Sequence, residues 1–303
     1  MGLKQFVEIP YDGILQVRDK SALIYYQPAF RLGTKKNFLQ QQIMLEARKT
    51  AYSGMISSGT RKRMVKACTL LVQSAITEYI YNPVSKRHFY HKLGFLTLTI
   101  SDPEHKLSGK EAYQKLLKPF LEWLRKTHGM TTYIWKAELQ KNKQIHYHIT
   151  TPTFIHWQQV RDKWNNLQRS HGLLDRYYKT TGHYNANSTD IHKVKSIKNL
   201  SSYLVKYITK QYQNETSLGG KVWDCSNNLR GAKYFNCLFN DNHKLFIKYA
   251  VDSKLATEYI DERFTLIKFK EDVQEFILDE TELKNYYSFM EIIRDKPSST
   301  INF

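Results

Sequence analysis

The chain is expected to be an α+β protein built on one central antiparallel sheet with helices on one face. A helical N-terminal extension and a small C-terminal one are expected to flank it. Three observations carry that expectation. From residue 94 the hydrophobic period reads strand, helix, strand, strand, helix, strand, helix. Only the second and third strands lie close enough for a tight hairpin, which favours a single antiparallel sheet. The 303 residues, 41% hydrophobic and 24% charged, allow a real core and exclude a disordered tail or a coiled coil.

Residues 1–33 hold short strand-like runs at 6–9, 14–17 and 23–26, and residues 36–51 read as helical. Ser57-Ser58-Gly59-Thr60 can cap a helix from about 61 to 80, where Met64, Ala67, Cys68, Leu71, Ala75 and Ile76 recur at helical spacing. Its first turn carries Arg61-Lys62-Arg63, where the helix dipole opposes cations by a few tenths of a kcal/mol. A nearby phosphate would relieve that cost; a solvated basic turn is an equally good reading. In Gly94–Ile100, Leu96, Leu98 and Ile100 share one face and Thr97 and Thr99 the other. Lys110–Thr127 is a helix with a stripe of Leu116, Leu117, Phe120, Leu121 and Leu124. Along Thr131–Gln140, Tyr133, Trp135, Ala137 and Leu139 oppose Ile134, Lys136, Glu138 and Gln140. Along Gln144–Ile149, Ile145, Tyr147 and Ile149 oppose His146 and His148. A helix near 156–170, a strand near 188–195 and a helix at Asn199–Gln211 complete the series. The expected divisions are 1–88 (N-terminal strands and basic helices), 89–215 (the core) and 216–303 (a C-terminal extension, acidic after 250).

Charge narrows the function. Lys and Arg number 46 against 28 Asp and Glu, a net of +18. Residues 251–303 hold 7 basic and 12 acidic side chains, so the first 250 residues carry a net of +23. Such an excess suits a polyanionic partner. No apolar run approaches the ~20 residues of a membrane span. The start lacks a signal-peptide apolar region, so a cytoplasmic location is expected. Cys68, Cys225 and Cys237 have no CxxC spacing, which argues against a disulfide framework or a cysteine zinc site. Gly219-Gly220-Lys221 lacks the rest of a P-loop, so no built-in ATPase motor is expected.

Two constellations carry chemistry. The first is Ile145-His146-Tyr147-His148-Ile149, whose histidines lie two apart on a strand and project from one face. With 11 His in the chain such a pair alone is weak. If Lys141-Asn142-Lys143 is the turn, Glu138 stands directly opposite His146, with Cβ atoms ~5 Å apart. Two imidazoles and a carboxylate suit a divalent ion that keeps open positions. The competing reading is a polar hairpin facing solvent, without metal. Asp190 and His192 are further candidates, for ligation or for a surface role.

The second is Ser202-Tyr203-Leu204-Val205-Lys206-Tyr207-Ile208-Thr209-Lys210. Tyr203 and Tyr207 stack on one helical face, and each is followed three residues later by a lysine, Lys206 or Lys210. A free tyrosine, with a pKa of ~10, is a poor nucleophile. A nearby ammonium and a metal-polarised phosphate make attack feasible. Amphipathic packing is the competing reading, since the chain has 21 Tyr.

FLTLT at 95–99, IHYHI at 145–149 and YLVKYITK at 203–210 resemble the three ordered motifs of the HUH endonucleases that initiate rolling-circle replication. The paired tyrosines, with Asn187–His192 before and Gly220–Ser226 after, are similar to the initiators of small single-stranded DNA phages, the microviruses. The resemblance covers about 90–230 and implies a ferredoxin- or RRM-like HUH core. It implies Mg²⁺ or Mn²⁺ held by His146 and His148, with Glu138 as the less secure third ligand, since the family varies there. It implies Tyr203 and Tyr207 as nucleophiles, with Lys206 and Lys210 on the phosphate or tyrosyl oxygens. The activity implied is nicking and joining of single-stranded origin DNA through a 5′-phosphotyrosine, leaving a 3′-OH that primes synthesis. The implied setting is a bacterial host cell, with host helicase and polymerase as partners. Aromatics interleaved with basic residues, such as Lys86-Arg87-His88-Phe89-Tyr90-His91-Lys92, can offer stacking surfaces to unpaired bases. Two other readings stand beside this one: a non-catalytic single-stranded nucleic-acid-binding protein, and a plasmid initiator, relaxase or transposase with the same chemistry.

Overall fold

A computed structural model describes residues 11–18, 20–28, 58–82, 86–104, 107–140, 144–193, 218–261, 264–272 and 274–295. In chain order the strands are β1 (Tyr11–Arg18), β2 (Ser21–Pro28), β3 (Glu78–Asn82), β4 (Arg87–His91), β5 (Gly94–Thr99), β6 (Ile134–Leu139), β7 (Ile145–Thr151), β8 (Thr189–Lys193), β9 (Trp223–Cys225), β10 (Phe235–Leu238), β11 (Ala256–Ile260) and β12 (Phe264–Phe269). The helices are α1 (Ser58–Ser74), α2 (Gly109–Ala112), α3 (Lys118–His128), α4 (Trp157–Arg169), α5 (Asp175–Thr181), α6 (Asn227–Gly231), α7 (Asp241–Asp252), α8 (Gln274–Ile277) and α9 (Glu280–Asp295). The fold is mixed α+β with antiparallel sheets. None of the described helices is long and apolar enough to cross a membrane.

The chain divides into two compact units: Met1–Tyr52 with Lys233–Met290, and Ser53–Ala232 with Glu291–Phe303. Both are discontinuous in sequence, whereas the divisions expected at 88 and 215 follow chain order.

The second unit holds a five-stranded sheet of order β8-β5-β7-β6-β9, each neighbour antiparallel. Leu96, Leu98, Trp135, Ala137, Tyr147 and Ile149 form one face of it, packed with Leu116, Leu117, Phe120 and Leu124 and with Val160 and Trp164 of α4. Strand alternation put these residues on that face, because apolar side chains two apart must point the same way. Trp164 Nε1 donates to Thr99 O at 2.8 Å, so this large core ring is also hydrogen-bonded.

The helix expected over 110–127 is interrupted by a π segment at Tyr113–Leu117. Pro119 lies just beyond it and has no N–H to give to the carbonyl four residues back, so the ladder slips by one residue there. Ser108 caps the start in a reciprocal box with Glu111, and Gly129, at φ 63°, ends the final helix in the left-handed region.

Three expectations need correction. The helix expected to reach residue 80 stops at Ser74, and Tyr79-Ile80-Tyr81 pair instead with β4. Their β-branched and aromatic side chains favour a strand, and Ile76, expected on the buried stripe, is 51% exposed. Helices on one face alone is too simple. Cys225 is in register with Ile134 on the face away from the main core, and both are buried. Cys225 lies near enough to the buried Cys68 of α1 to help raise that thiol's pKa, after burial itself. So α1 covers part of the second face.

The third correction concerns the ends of the chain. The first unit holds a second five-stranded antiparallel sheet, of order β10-β1-β2-β12-β11, in which the expected N-terminal strands and the acidic tail are joined rather than being separate extensions. Runs 14–17 and 23–26 fall in β1 and β2, and β2 pairs with β12, so the acidic tail completes the N-terminal sheet. Ile267, Ile277, Tyr286 and Met290 are buried there. The expected strand at 6–9 and helix at 36–51 lie outside the described residues.

Residues 218–220 lie directly on the start of α2, where Gly109 N donates to Leu218 O at 2.8 Å. A Cβ on Gly109 would collide with the Leu218 carbonyl, which is backbone and cannot swing aside. Gly109→Ala is therefore expected to destabilise the protein by about 1–3 kcal/mol, read as a lowered midpoint in urea.

Candidate metal centre

The pairing of β6 with β7 sets Glu138 opposite His146 and Lys136 opposite His148. The pairing of β5 with β7 sets Thr99 opposite His146 and Thr97 opposite His148. Two rows of polar side chains thus cross three strands on the face away from the main core: Thr99–His146–Glu138 and Thr97–His148–Lys136. The register is the one expected from the hairpin, although its turn at 141–143 lies outside the described residues. Gln140 N donates to Gln144 O at 2.9 Å and closes the ladder beside it.

The face is not solvated. Lys136, Glu138 and His146 are only 4, 7 and 8% exposed, so a polar hairpin facing water does not describe it. A buried carboxylate needs compensation. Glu138 Oε1 lies 2.9 Å from His148 Nε2, and Glu138 Oε2 lies 4.0 Å from Lys136 Nζ. Thr97 Oγ1 is 3.2 Å from His148 Nδ1. A carboxylate only accepts, so a neutral His148 donates from Nε2 to Glu138 and accepts at Nδ1 from the Thr97 hydroxyl. His146 contacts Thr99 Oγ1 at 3.3 Å through Nε2 and Gln140 Nε2 at 3.2 Å through Nδ1. Burial pushes its pKa down to about 4, the neighbouring His148 adds to that, and Glu138 opposes it. His146 is therefore held in the neutral form that a metal ligand requires.

Glu138 and His148 already touch, whereas His146 turns its nitrogens to Gln140 and Thr99. The three residues share a face without forming a closed cage of ligand atoms. Among the described residues, the set whose ligand atoms all lie within 4.8 Å of one another is Cys237, His243 and Glu282, in the first unit. That set has a structural explanation. Asn240 and His243 form the capping box of α7, and Asp279 and Glu282 exchange the same two bonds at the start of α9. His243 Nε2 meets Glu282 Oε2 at 2.9 Å and ties the two caps together. Burial, with Glu282 as hydrogen-bond partner, pushes the Cys237 thiol up to about 12.

The donor set of Glu138, His146 and His148 does suit a divalent cation: two imidazoles, one held neutral, and a carboxylate on a buried face. Sequence reasoning passed over Thr97, Thr99 and Gln140, which orient the histidines. The signal was in the strand alternation, which already put both threonines on this face. Phe95 adds an aromatic wall, stacked on His148 with ring centroids 5.4 Å apart and on His192 at 5.8 Å. His192 Nδ1 lies 3.3 Å from Asp190 Oδ2, so those two partner each other at the surface. Asp224 is held by Lys221 at 2.5 Å and Arg230 at 2.7 Å. Tyr203, Lys206, Tyr207 and Lys210 lie outside the described residues.

Residues 94–212 match the family model of replication-associated protein ORF2/G2P. That is less than half of the chain. The matched stretch runs from β5 through the three strands of the polar rows and takes in both tyrosines with their lysines. The match supports a replication-initiator role, and with it DNA binding. No curated protein and no solved structure matches the chain.

Proposed function

We propose that the protein is a metal-dependent HUH-type initiator that nicks and rejoins single-stranded origin DNA, as in the microviruses. The observation that carries the reading is the gathering of Glu138, His146 and His148 on one buried sheet face. The match over 94–212 supports it, because it unites that face with the tyrosine segment in one replication-associated stretch. Glu138, His146 and His148 would hold Mg²⁺ or Mn²⁺, which when bound supplies Lewis-acid polarisation of a phosphate oxygen.

The chain's own groups do the rest. Thr97, Thr99 and Gln140 hold the two rings on this face, and each imidazole would exchange one of its hydrogen-bond partners for the metal. A hydroxyl of Tyr203 or Tyr207 attacks the scissile phosphorus. The new bond is Tyr O–P, the broken bond is P–O3′, and the tyrosyl proton ends on the departing 3′-oxygen. One phosphodiester replaces another, so the step reverses with a 3′-OH as nucleophile and needs no ATP. Lys206 and Lys210 would stabilise the phosphate or tyrosyl oxygens as charge develops. The second tyrosine can cut and rejoin after a full circle while the first is loaded. A chain with no P-loop of its own would rely on a host helicase and polymerase in the bacterial cytoplasm.

The test is a denaturing gel of the protein with a 5′- or 3′-labelled single-stranded origin oligonucleotide. Expected is an adduct carrying the DNA downstream of the cut, formed with Mg²⁺ or Mn²⁺ and absent with EDTA. Salt-sensitive binding that ignores EDTA and gives no adduct would leave a non-catalytic binder.

A further inference from the structure

The β3–β4 ribbon has no part in the chemistry above, yet it has an unusual face. Its register puts Tyr79 opposite Tyr90 and Tyr81 opposite His88, so four aromatic rings share one side. Tyr79, Tyr81 and Tyr90 are 63, 50 and 70% exposed, far more than an ordinary strand leaves to water. The rings touch one another: Tyr79 lies 4.7 Å from His88 at 11° and 4.9 Å from Tyr90, and Tyr81 lies 5.0 Å from His88. The opposite side is the more covered one, where the half-buried Phe89 packs edge-on against Phe154. The exposed rings therefore do not serve the core.

The surroundings are basic. Lys86 and Arg87 lead into β4, and Glu78 stands alone as an acid at the far end of the ribbon. Against the other side of the ribbon, where Phe89 meets Phe154, is a cavity of about 490 Å³ lined by Arg87, His156, Trp157 and His192 and reached by His88 of the four-ring face, with no Asp or Glu. That volume falls within the usual range of ligand sites. Arg161 lies 4.7 Å over the Trp157 ring and adds a cation at the rim. His192, in the cavity wall, stacks on Phe95, which stacks on His148. A ligand in this cavity would sit two ring contacts from the candidate metal centre.

We propose that the four-ring face of the β3–β4 ribbon forms a stacking platform for unpaired bases of single-stranded DNA beside the nicking site, with His88 shared between that face and the cavity behind it. It rests on the reading of the function above, and adds to it the feature that engages bases rather than phosphates. Flat exposed rings offer every base a stacking partner whatever its sequence, while the basic surroundings draw in the backbone. A protein partner or a second copy of the chain would bury the rings equally well; the charge and the acid-free cavity favour a polyanion.

The test compares the wild type with Tyr79→Thr/Tyr90→Thr and, independently, Tyr81→Thr/His88→Thr. Threonine keeps the strand preference, and melting curves confirm folding. Fluorescence anisotropy is measured against a single-stranded oligonucleotide and against an abasic strand of equal length and charge. Expected is a loss of roughly tenfold or more on the base-bearing strand and little change on the abasic one. Adduct yield at saturating DNA should stay at the wild-type level, which separates this platform from the catalytic centre. If no variant of any kind forms an adduct but the base-dependent loss is seen, the nicking reading falls and the platform stands. Unchanged affinity in both variants, or equal loss on both strands, overturns the platform. So does loss of self-association with DNA affinity intact.

Discussion

Changing Tyr203 and Tyr207 together to phenylalanine is expected to lower adduct formation by at least about 10³-fold, to the background of the gel. The substitution removes only the two oxygens that can join phosphorus, and keeps the rings. DNA affinity by anisotropy should therefore remain within about twofold, because stacking and phosphate contacts outnumber two hydroxyls. Each single variant should retain cleavage by the remaining tyrosine. The two singles need not be equal, because the hydroxyls lie one helical turn apart in the sequence reading and only one can face the phosphorus at a time. An adduct that survives in the double variant would remove both residues from the mechanism.

The second large effect concerns the sheet face. His146→Ala with His148→Ala should abolish Mn²⁺ binding measured by titration calorimetry, and lower metal-dependent cleavage by at least about 10²–10³-fold. A graded companion separates ligation from general damage. Thr99→Val removes the hydroxyl 3.3 Å from His146 Nε2 while keeping the strand. Loss of one orienting partner should weaken metal affinity by roughly 10–100-fold with the melting temperature little changed. If both variants bind Mn²⁺ as the wild type does, Glu138, His146 and His148 are a buried hydrogen-bond network and not a metal centre.

The candidate centre was legible because strand geometry is rigid. Two residues apart means one face, so His146 and His148 had to point together, and a three-residue turn had to bring Glu138 opposite His146. Its burial was not legible. Alternation separates two faces but does not say which of them faces water; that depends on what covers the second face, where α1 brings Cys68 near Cys225 and is tied down by the 2.7 Å bond from Lys66 Nζ to Ala232 O. The arrangement of nitrogens was equally hidden, since a ring's direction follows its hydrogen-bond partners, here Thr97 and Thr99 on β5 and Gln140 just past the end of β6. The exposed ribbon was misread at its start. Ala75 and Ile76 fit the apolar spacing of α1 and carried the expected helix on to 80, where pairing of Tyr79 and Tyr81 with Tyr90 and His88 makes a strand from Glu78.

By itself the sequence determined what depends on neighbours along the chain: the strand faces, the helix stripe over Leu116–Leu124, the hairpin register and the charge that suits DNA. Tertiary structure decided what depends on distant partners. The pairing of β2 with β12 joins residues some 240 positions apart, and nothing local in either strand names the other. A strand edge accepts any edge of matching length, so the choice is made by the whole fold, which turned an acidic tail into part of the N-terminal sheet.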